Sequence, residues 1–233
     1  MMSRCVAILP AGGSGARFGT ACPKQFTLLR GQMLLVHSIQ SLLQDARVEA
    51  VYVVLAPEHQ ALLDWTQWEG RVRPLAQAGP TRADTVLNAL DALRGELAAH
   101  DWVLVHDAVR PCLSREGLSR LLDTLMEDAV GGLLAVPVAD TLKRQGGDGR
   151  VQDTVNREGL WGAQTPQMFR YGMLLQALQG SRVHTDESSA MEAVGHAPLL
   201  VMGESTNIKV TYPADASLAE WILAAREKLQ EAP

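Results

Sequence analysis

Short, almost wholly apolar runs alternate with stretches of helical periodicity over the first two-thirds of the chain, and this alternation fixes the fold class. The strand-like runs are Cys5–Leu9, Val51–Leu55, Val72–Ala76, Trp102–Val105 and Gly132–Val136. Between them, Met33–Leu43 carries Leu34, Leu35, Ile39, Leu42 and Leu43 at helical spacing, and Arg82–Leu93 does so through Val86, Leu87, Leu90 and Leu93. Leu118–Met126 reads the same way, and His59–Trp65 reads as a short helix. A strand that is apolar on both faces must be covered on both, and parallel strands need long crossovers, which helices supply. The expectation is an α/β chain: a mostly parallel sheet with helices on both faces. In such sheets ligands bind beyond the carboxyl ends of the strands.

The first strand runs directly into Pro10-Ala11-Gly12-Gly13-Ser14-Gly15-Ala16-Arg17-Phe18-Gly19, followed by Pro23-Lys24-Gln25. A glycine-rich loop lets backbone N–H groups approach a ligand without a Cβ in the way, and suits phosphate. No Gly-Lys-Ser/Thr closes the loop, so it is not a P-loop. Gly13, Gly15 and Ala16 match the dinucleotide fingerprint only loosely. Arg17 and Lys24 add two positive charges beside the glycines.

Composition narrows the function classes. At 233 residues the chain reads as one domain, and a chain of this length buries roughly 70% of its unfolded surface without staples. Its net charge of −5 argues against general nucleic-acid binding. The three cysteines, Cys5, Cys22 and Cys112, fit neither a metal spacing nor a disulfide framework, which suits a reducing cytoplasm. The first apolar run is too short for a membrane span or a signal peptide.

Residues 139–159 break the alternation. Two short segments flank the polar turn Gln145-Gly146-Gly147-Asp148-Gly149 and read as a β-hairpin. The hairpin carries too few apolar residues for a core of its own. It is either a bland surface excursion or an arm that packs on a second subunit. A helix over Arg170–Gln179 follows the stretch Trp161–Gln167. Thr185 or Asp186 can cap another helix running to Val194. Leu199–Met202 reads as a last strand and Asp215–Leu229 as a closing helix.

The charged and hydroxyl residues in loops after strands are Arg17, Lys24, Arg82, Asp107, Arg110, Thr141, Arg157, Thr165 and Lys209. No serine sits on a Gly-x-Ser-x-Gly elbow, and the six histidines show no metal spacing. A reaction that needs cations but no protein nucleophile fits phosphoryl or nucleotidyl transfer. There an ionised substrate phosphate attacks, and the protein positions groups and stabilises charge on phosphorus oxygens. A lone arginine in a loop is more often a solvated charge. Several basic residues beside glycine turns and strand ends are harder to read that way.

Nine motifs in order carry a resemblance. They are Ala11–Arg17, Pro23-Lys24-Gln25, Arg82–Val86, His106-Asp107-Ala108-Val109-Arg110-Pro111, Asp140–Lys143, Asn156-Arg157, Thr165-Pro166-Gln167, Thr185-Asp186-Glu187 and Asn207–Thr211. Together they resemble the 2-C-methyl-D-erythritol 4-phosphate cytidylyltransferase family, from the first strand to the last helix. The resemblance implies a Rossmann-like nucleotidyltransferase fold and a homodimer. It also implies transfer of CMP from CTP, with Mg²⁺, to methylerythritol phosphate in non-mevalonate isoprenoid synthesis. It casts Arg17, Lys24, Arg157 and Lys209 as catalytic. It assigns CTP to Ala11, Gly13, Gly15, Gly79, Thr85, Asp107, Ala108 and Arg110. The acceptor falls to Asp107, Thr141, Arg157, Thr165 and Lys209. Mg²⁺ would be held mainly by the triphosphate, with Asp107 as the one nearby carboxylate. The hairpin would reach the neighbouring subunit's site. His106 and Cys22 read as structural.

Four positions depart from the family pattern. Gly12 stands where a second alanine is usual, which loosens the loop. Pro80 replaces a commonly acidic residue near the nucleotide, Thr85 replaces a serine, and Asn156 replaces an aspartate beside Arg157. A cytidylyltransferase for another polyol phosphate, such as ribitol 5-phosphate, is the competing enzyme reading. A non-catalytic nucleotide-binding protein is the third, disfavoured because Arg17 and Lys24 are both present. The chain ends soon after its last helix, and a monofunctional enzyme is expected.

Overall fold

The structure, a computed structural model, describes residues 3–13, 23–180 and 184–231. Gly15, Arg17 and Cys22 lie outside the described residues.

In chain order the elements begin with β1 (Cys5–Pro10), a 3₁₀ turn at Lys24–Phe26, and a small hairpin of β2 (Leu28–Leu29) and β3 (Gln32–Met33). Helix α1 (Leu34–Leu43), β4 (Ala50–Val54), β5 (Val72–Leu75), α2 (Arg82–Ala92) and β6 (Trp102–Val105) follow. Then come α3 (Arg115–Leu125), β7 (Gly131–Pro137), the hairpin strands β8 (Leu142–Gln145) and β9 (Val151–Val155), and β10 (Trp161–Arg170). The chain closes with α4 (Tyr171–Gly180), α5 (Glu187–Ala193), β11 (Leu199–Met202) and α6 (Pro213–Glu231).

Seven strands form one sheet in the order β11-β7-β10-β6-β1-β4-β5. The pairs β1–β4, β1–β6, β4–β5 and β7–β11 are parallel, and β10 runs antiparallel between β6 and β7. The central strands β1, β4 and β6 are apolar throughout because successive side chains point to opposite faces and both faces are covered. Cys5, Ala7 and Leu9 pack with Leu35, Ile39 and Leu42 of α1 and with Leu118, Leu121 and Leu122 of α3. Val6 and Ile8 pack with Val86 and Leu90 of α2, with Leu174 and Leu178 of α4, and with Met191 of α5.

Helix starts follow local chemistry. Thr81 and Asp84 form a capping box at α2, Ser114 caps α3 by accepting from the Gly117 N–H, and Asp186 with Ser189 caps α5. Helix α6 packs Ala219 against a third cluster with Leu29, Leu34, Val109 and Val210. The Val210 N–H donates to the Val109 carbonyl at 2.9 Å, which lays residues 207–210 beside the loop after β6.

One expectation changes, and one stretch without an expected element becomes a strand. The helix expected over His59–Trp65 is two 3₁₀ turns, Pro57–Leu62 and Trp65–Trp68. Pro57 opens the first, Asp64 caps the second by accepting from the Thr66 N–H, and Glu69 ends it at φ 50°. The stretch after the arm is a ten-residue strand, β10, with its register shifted between Ala163 and Gln167. Its glycine, glutamine, threonine and internal proline carry no β pattern, and its place between two apolar strands makes it one. The expected hairpin is present: β8 and β9 pair from Leu142↔Val155 to Gln145↔Val151 as a separate two-stranded sheet.

Candidate active site

The carboxyl ends of β1 and β6, the loop leading into α2, the Lys24 turn and the segment before α6 converge on one cavity of about 560 Å³. Ala11, Gly13, Lys24, Gly79, Thr85, Asp107, Ala108 and Lys209 all line it. A smaller cavity of about 160 Å³ adds Arg110, Gln164, Thr165 and Thr185, and shares Arg82, Asp107 and Lys209 with the first. The two spaces are thus separated by a wall of three charged side chains.

The glycine loop is shaped from within. Gln25 is buried, and its amide donates to the carbonyls of Ala11 at 2.7 Å and Gly13 at 3.0 Å. Among the described residues, a Cβ on Gly13 would meet nothing within 4 Å, and Gly13 lines the cavity. On the opposite wall the Thr85 hydroxyl accepts from the Gly79 N–H at 3.0 Å and donates to the Thr81 carbonyl at 2.9 Å. Its hydroxyl is spent on folding that wall. A Cβ on Gly79 would stand 2.5 Å from the Asp84 Cβ, so only glycine closes the turn. The Lys24 ammonium donates to the Val210 carbonyl at 3.0 Å, which ties the first loop to the last.

Asp107 is the electrostatic centre. One carboxylate oxygen accepts from Arg82 Nε at 2.8 Å; the other lies 2.7 Å from the Lys209 ammonium and 3.8 Å from Arg110 Nε. Burial pushes this carboxyl up, but Arg82, then Lys209 and Arg110, outweigh burial and hold it well below the ordinary carboxylate range. Arg82 also forks onto the buried Glu187, at 2.7 and 3.0 Å. Burial opposes the charge on Arg82, yet Glu187 and Asp107 raise its affinity for the proton above normal. Arg110 donates to the Asn207 carbonyl at 2.6 Å, and burial lowers its pKa.

His106 holds this loop from beneath. Its Nε2 faces the Arg110 carbonyl at 3.1 Å and its Nδ1 faces the Thr165 hydroxyl at 3.0 Å. A carbonyl only accepts, so Nε2 carries the hydrogen and Nδ1 accepts from Thr165. Thr165 Oγ1 in turn accepts from the Asp107 N–H at 3.0 Å. Burial drives the His106 pKa down to about 4, and the imidazole is neutral. The structural reading of His106 holds.

The donor set does not suit a protein-held magnesium ion. Among the described residues no three His, Cys, Asp or Glu side chains cluster to hold a metal. Both oxygens of Asp107, the carboxylate expected near the ion, already face cations. Thr141 and Arg157 are exposed at the open end of the β8–β9 hairpin, one before β8 and one after β9, and line neither cavity. This chain by itself does not bring them to the other acceptor residues.

Residues 5–225 match the family model of IspD, 2-C-methyl-D-erythritol 4-phosphate cytidylyltransferase. The chain is 52% identical over 228 residues to the enzyme of that name from Dechloromonas aromatica (strain RCB), covering 97% of this chain and 100% of that one. It is 50% identical over 230 residues to the one from Azoarcus sp. (strain BH72), covering 98% of each. The chain belongs to this family.

Its fold agrees. A crystal structure of 4-diphosphocytidyl-2C-methyl-D-erythritol synthase superposes with a TM-score of 0.85 at 39% identity, over 96% of this chain and 99% of that one. The mostly parallel sheet and its flanking helices are the Rossmann-like architecture of these cytidylyltransferases. Sequence reasoning missed three members of the site. Gln25 was seen only as part of a motif. Arg82 was gathered among the loop cations but given no role. Glu187 reads from the sequence only as the residue after a helix cap, and nothing in its local pattern marks it as buried against a distant arginine.

Proposed function

We propose that this chain transfers CMP from CTP to 2-C-methyl-D-erythritol 4-phosphate, giving 4-diphosphocytidyl-2-C-methyl-D-erythritol and pyrophosphate. The observation that carries the reading is the pair of adjoining cavities with Asp107, Arg82 and Lys209 as their common wall. The larger takes CTP between the glycine loop and the Gly79 turn. The smaller takes the acceptor beside Thr165; Arg110, expected on CTP, lines this cavity and not the larger one.

The acceptor phosphate is largely dianionic at neutral pH and needs no protein base. One of its oxygens forms a bond to the α-phosphorus of CTP. The bond from that phosphorus to the bridging oxygen breaks, and the electron pair leaves with pyrophosphate. Lys24 meets the triphosphate from one side, with Arg17 proposed beside it, and Lys209 stands where the two substrates meet. Cations aimed at charge that grows in the transition state are worth on the order of 10²–10³ in rate each. Magnesium is proposed to arrive as the CTP complex, on the triphosphate's own oxygens.

Thr141 and Arg157 are proposed to act on a second copy. The chain is then a single nucleotidyltransferase domain, residues 1–233, whose 139–159 hairpin serves as the arm of a homodimer and completes the neighbour's acceptor site. Among the described residues no helix is long and apolar enough to cross a membrane. The net charge of −5 gives nucleic acid no general attraction. The proposed location is the cytoplasm.

Pyrophosphate release with Mg·CTP tests the reading, comparing methylerythritol phosphate with ribitol 5-phosphate. Release with the first alone is expected. Stronger release with ribitol 5-phosphate would move the chain to another polyol phosphate.

A further inference from the structure

We infer that Glu187 is a positioning residue for the transfer step: it locks the Arg82 guanidinium onto Asp107 and thereby leaves Lys209 as the cation offered at the junction of the two cavities. The inference rests on the cytidylyltransferase reading above and deepens it.

Glu187 is 1% exposed at the first position of α5, and its carboxylate lies behind the cavity wall, where it accepts from Arg82. It is fixed there from both sides. Asp186 caps the helix, and Gln167 of β10 accepts from the Ser188 N–H at 2.8 Å while donating to Asp186 at 2.9 Å. Both terminal nitrogens of Arg82 donate to Glu187, and its Nε donates to Asp107. All three nitrogens of this guanidinium are therefore held by carboxylates. Arg82 lines both cavities, but it cannot turn to a phosphate without breaking charge-assisted bonds, which are the strong ones. An ion pair whose carboxylate is buried is a poor stability device, because desolvation consumes much of its attraction. Its cost is easier to understand at a reacting site.

The charge balance gives the reason. Within the ion-paired cluster, Arg82, Arg110 and Lys209 face Asp107 and Glu187, which leaves one net positive charge; Asp186, which also lines the smaller cavity, caps α5 and bonds Gln167 instead of a cation. That charge is presented by Lys209, whose side chain is 42% exposed against 28% for Arg82. Without Glu187 the cluster carries two positive charges, and Arg82 becomes free to grip a ground-state phosphate. A cation that binds substrate and transition state equally lowers KM without raising turnover.

The test is a double-mutant cycle of Glu187→Gln with Lys209→Ala, read by pyrophosphate release. Activity of the unmodified chain is measured first; silence there overturns the enzyme reading and this inference with it, and is distinct from a failed coupling. With that activity present, Glu187→Gln is expected to lower kcat at least tenfold while KM for the acceptor stays level or falls. In the Lys209→Ala background the same substitution should change kcat less than threefold. Glu187→Asp, which keeps the charge, should recover part of the turnover. Equal loss in both backgrounds, or a loss that vanishes once folded protein is counted, overturns the role. Should neither Glu187 variant fold, Arg82→Lys is read in the same cycle, since a lysine keeps the charge but cannot bridge both carboxylates. Additivity there overturns the role as well.

Discussion

Gly12 and Ala78 share one space: a Cβ built on Gly12 would stand 2.5 Å from the Cβ of Ala78. The family's usual alanine at position 12 is thus excluded here by a methyl on the facing loop. The departure tightens the contact between the glycine loop and the residue before Gly79, where a loosened loop was expected. Gly12→Ala should cost about 1–3 kcal/mol, the range for an overpacked site, and weaken CTP binding. Ala78→Gly in the same chain should restore both. Thermal melting and calorimetric CTP titration of the single and double variants check this; no rescue would mean the two residues are independent.

Lys24→Ala removes the ammonium at the mouth of the larger cavity. Turnover should fall on the order of 10²–10³ while the melting temperature moves little. The Lys24 hydrogen bond to the Val210 carbonyl is partly buried. Steady-state kinetics and a melting curve on the same preparation separate the two effects. A stability loss that accounts for the activity loss would remove the catalytic role.

His106 makes stability fall in mild acid. Its pKa is depressed from 6.5 to about 4 in the folded chain, so between those values the unfolded chain binds the extra proton. Stability is full above about pH 6.5 and is lost progressively as pH falls toward 4, by about 3 kcal/mol from this group. Asp107 acts in a lower window, because its depressed carboxyl stabilises the fold until pH drops below the ordinary carboxylate range. Urea midpoints measured from pH 7 to 4.5 should fall steadily. His106→Gln should flatten that slope, and an unchanged slope would assign it to other groups.

Arg157 should matter for the acceptor alone. Arg157→Ala is expected to raise KM for methylerythritol phosphate at least tenfold and to leave CTP affinity within twofold. If the arm serves its neighbour, mixing Arg157→Ala with Lys24→Ala chains should recover up to about a quarter of wild-type activity, since one site of a mixed dimer is intact. Absence of recovery would mean that the arm serves its own chain.

The apolar periodicity by itself determined the α/β class and the position of most helices and sheet strands, and a polar glycine-rich turn marked the hairpin. Burial on both faces leaves continuous apolar runs, and their alternation with helical segments is what a covered parallel sheet requires. The glycines and the cations after strand ends determined the site's neighbourhood, since strand ends are where a parallel sheet opens to ligand. Tertiary structure alone decided β10, whose mixed composition becomes a strand only because β6 and β7 leave their edges to it. It alone decided that the Thr85 hydroxyl and Gln25 amide are spent on holding loops. It alone joined Glu187, Arg82, Asp107 and Lys209, residues from four distant stretches whose charges survive burial only by pairing. Spacing along a chain reports local geometry, but the partner of a buried charge is set by which loops the sheet brings together.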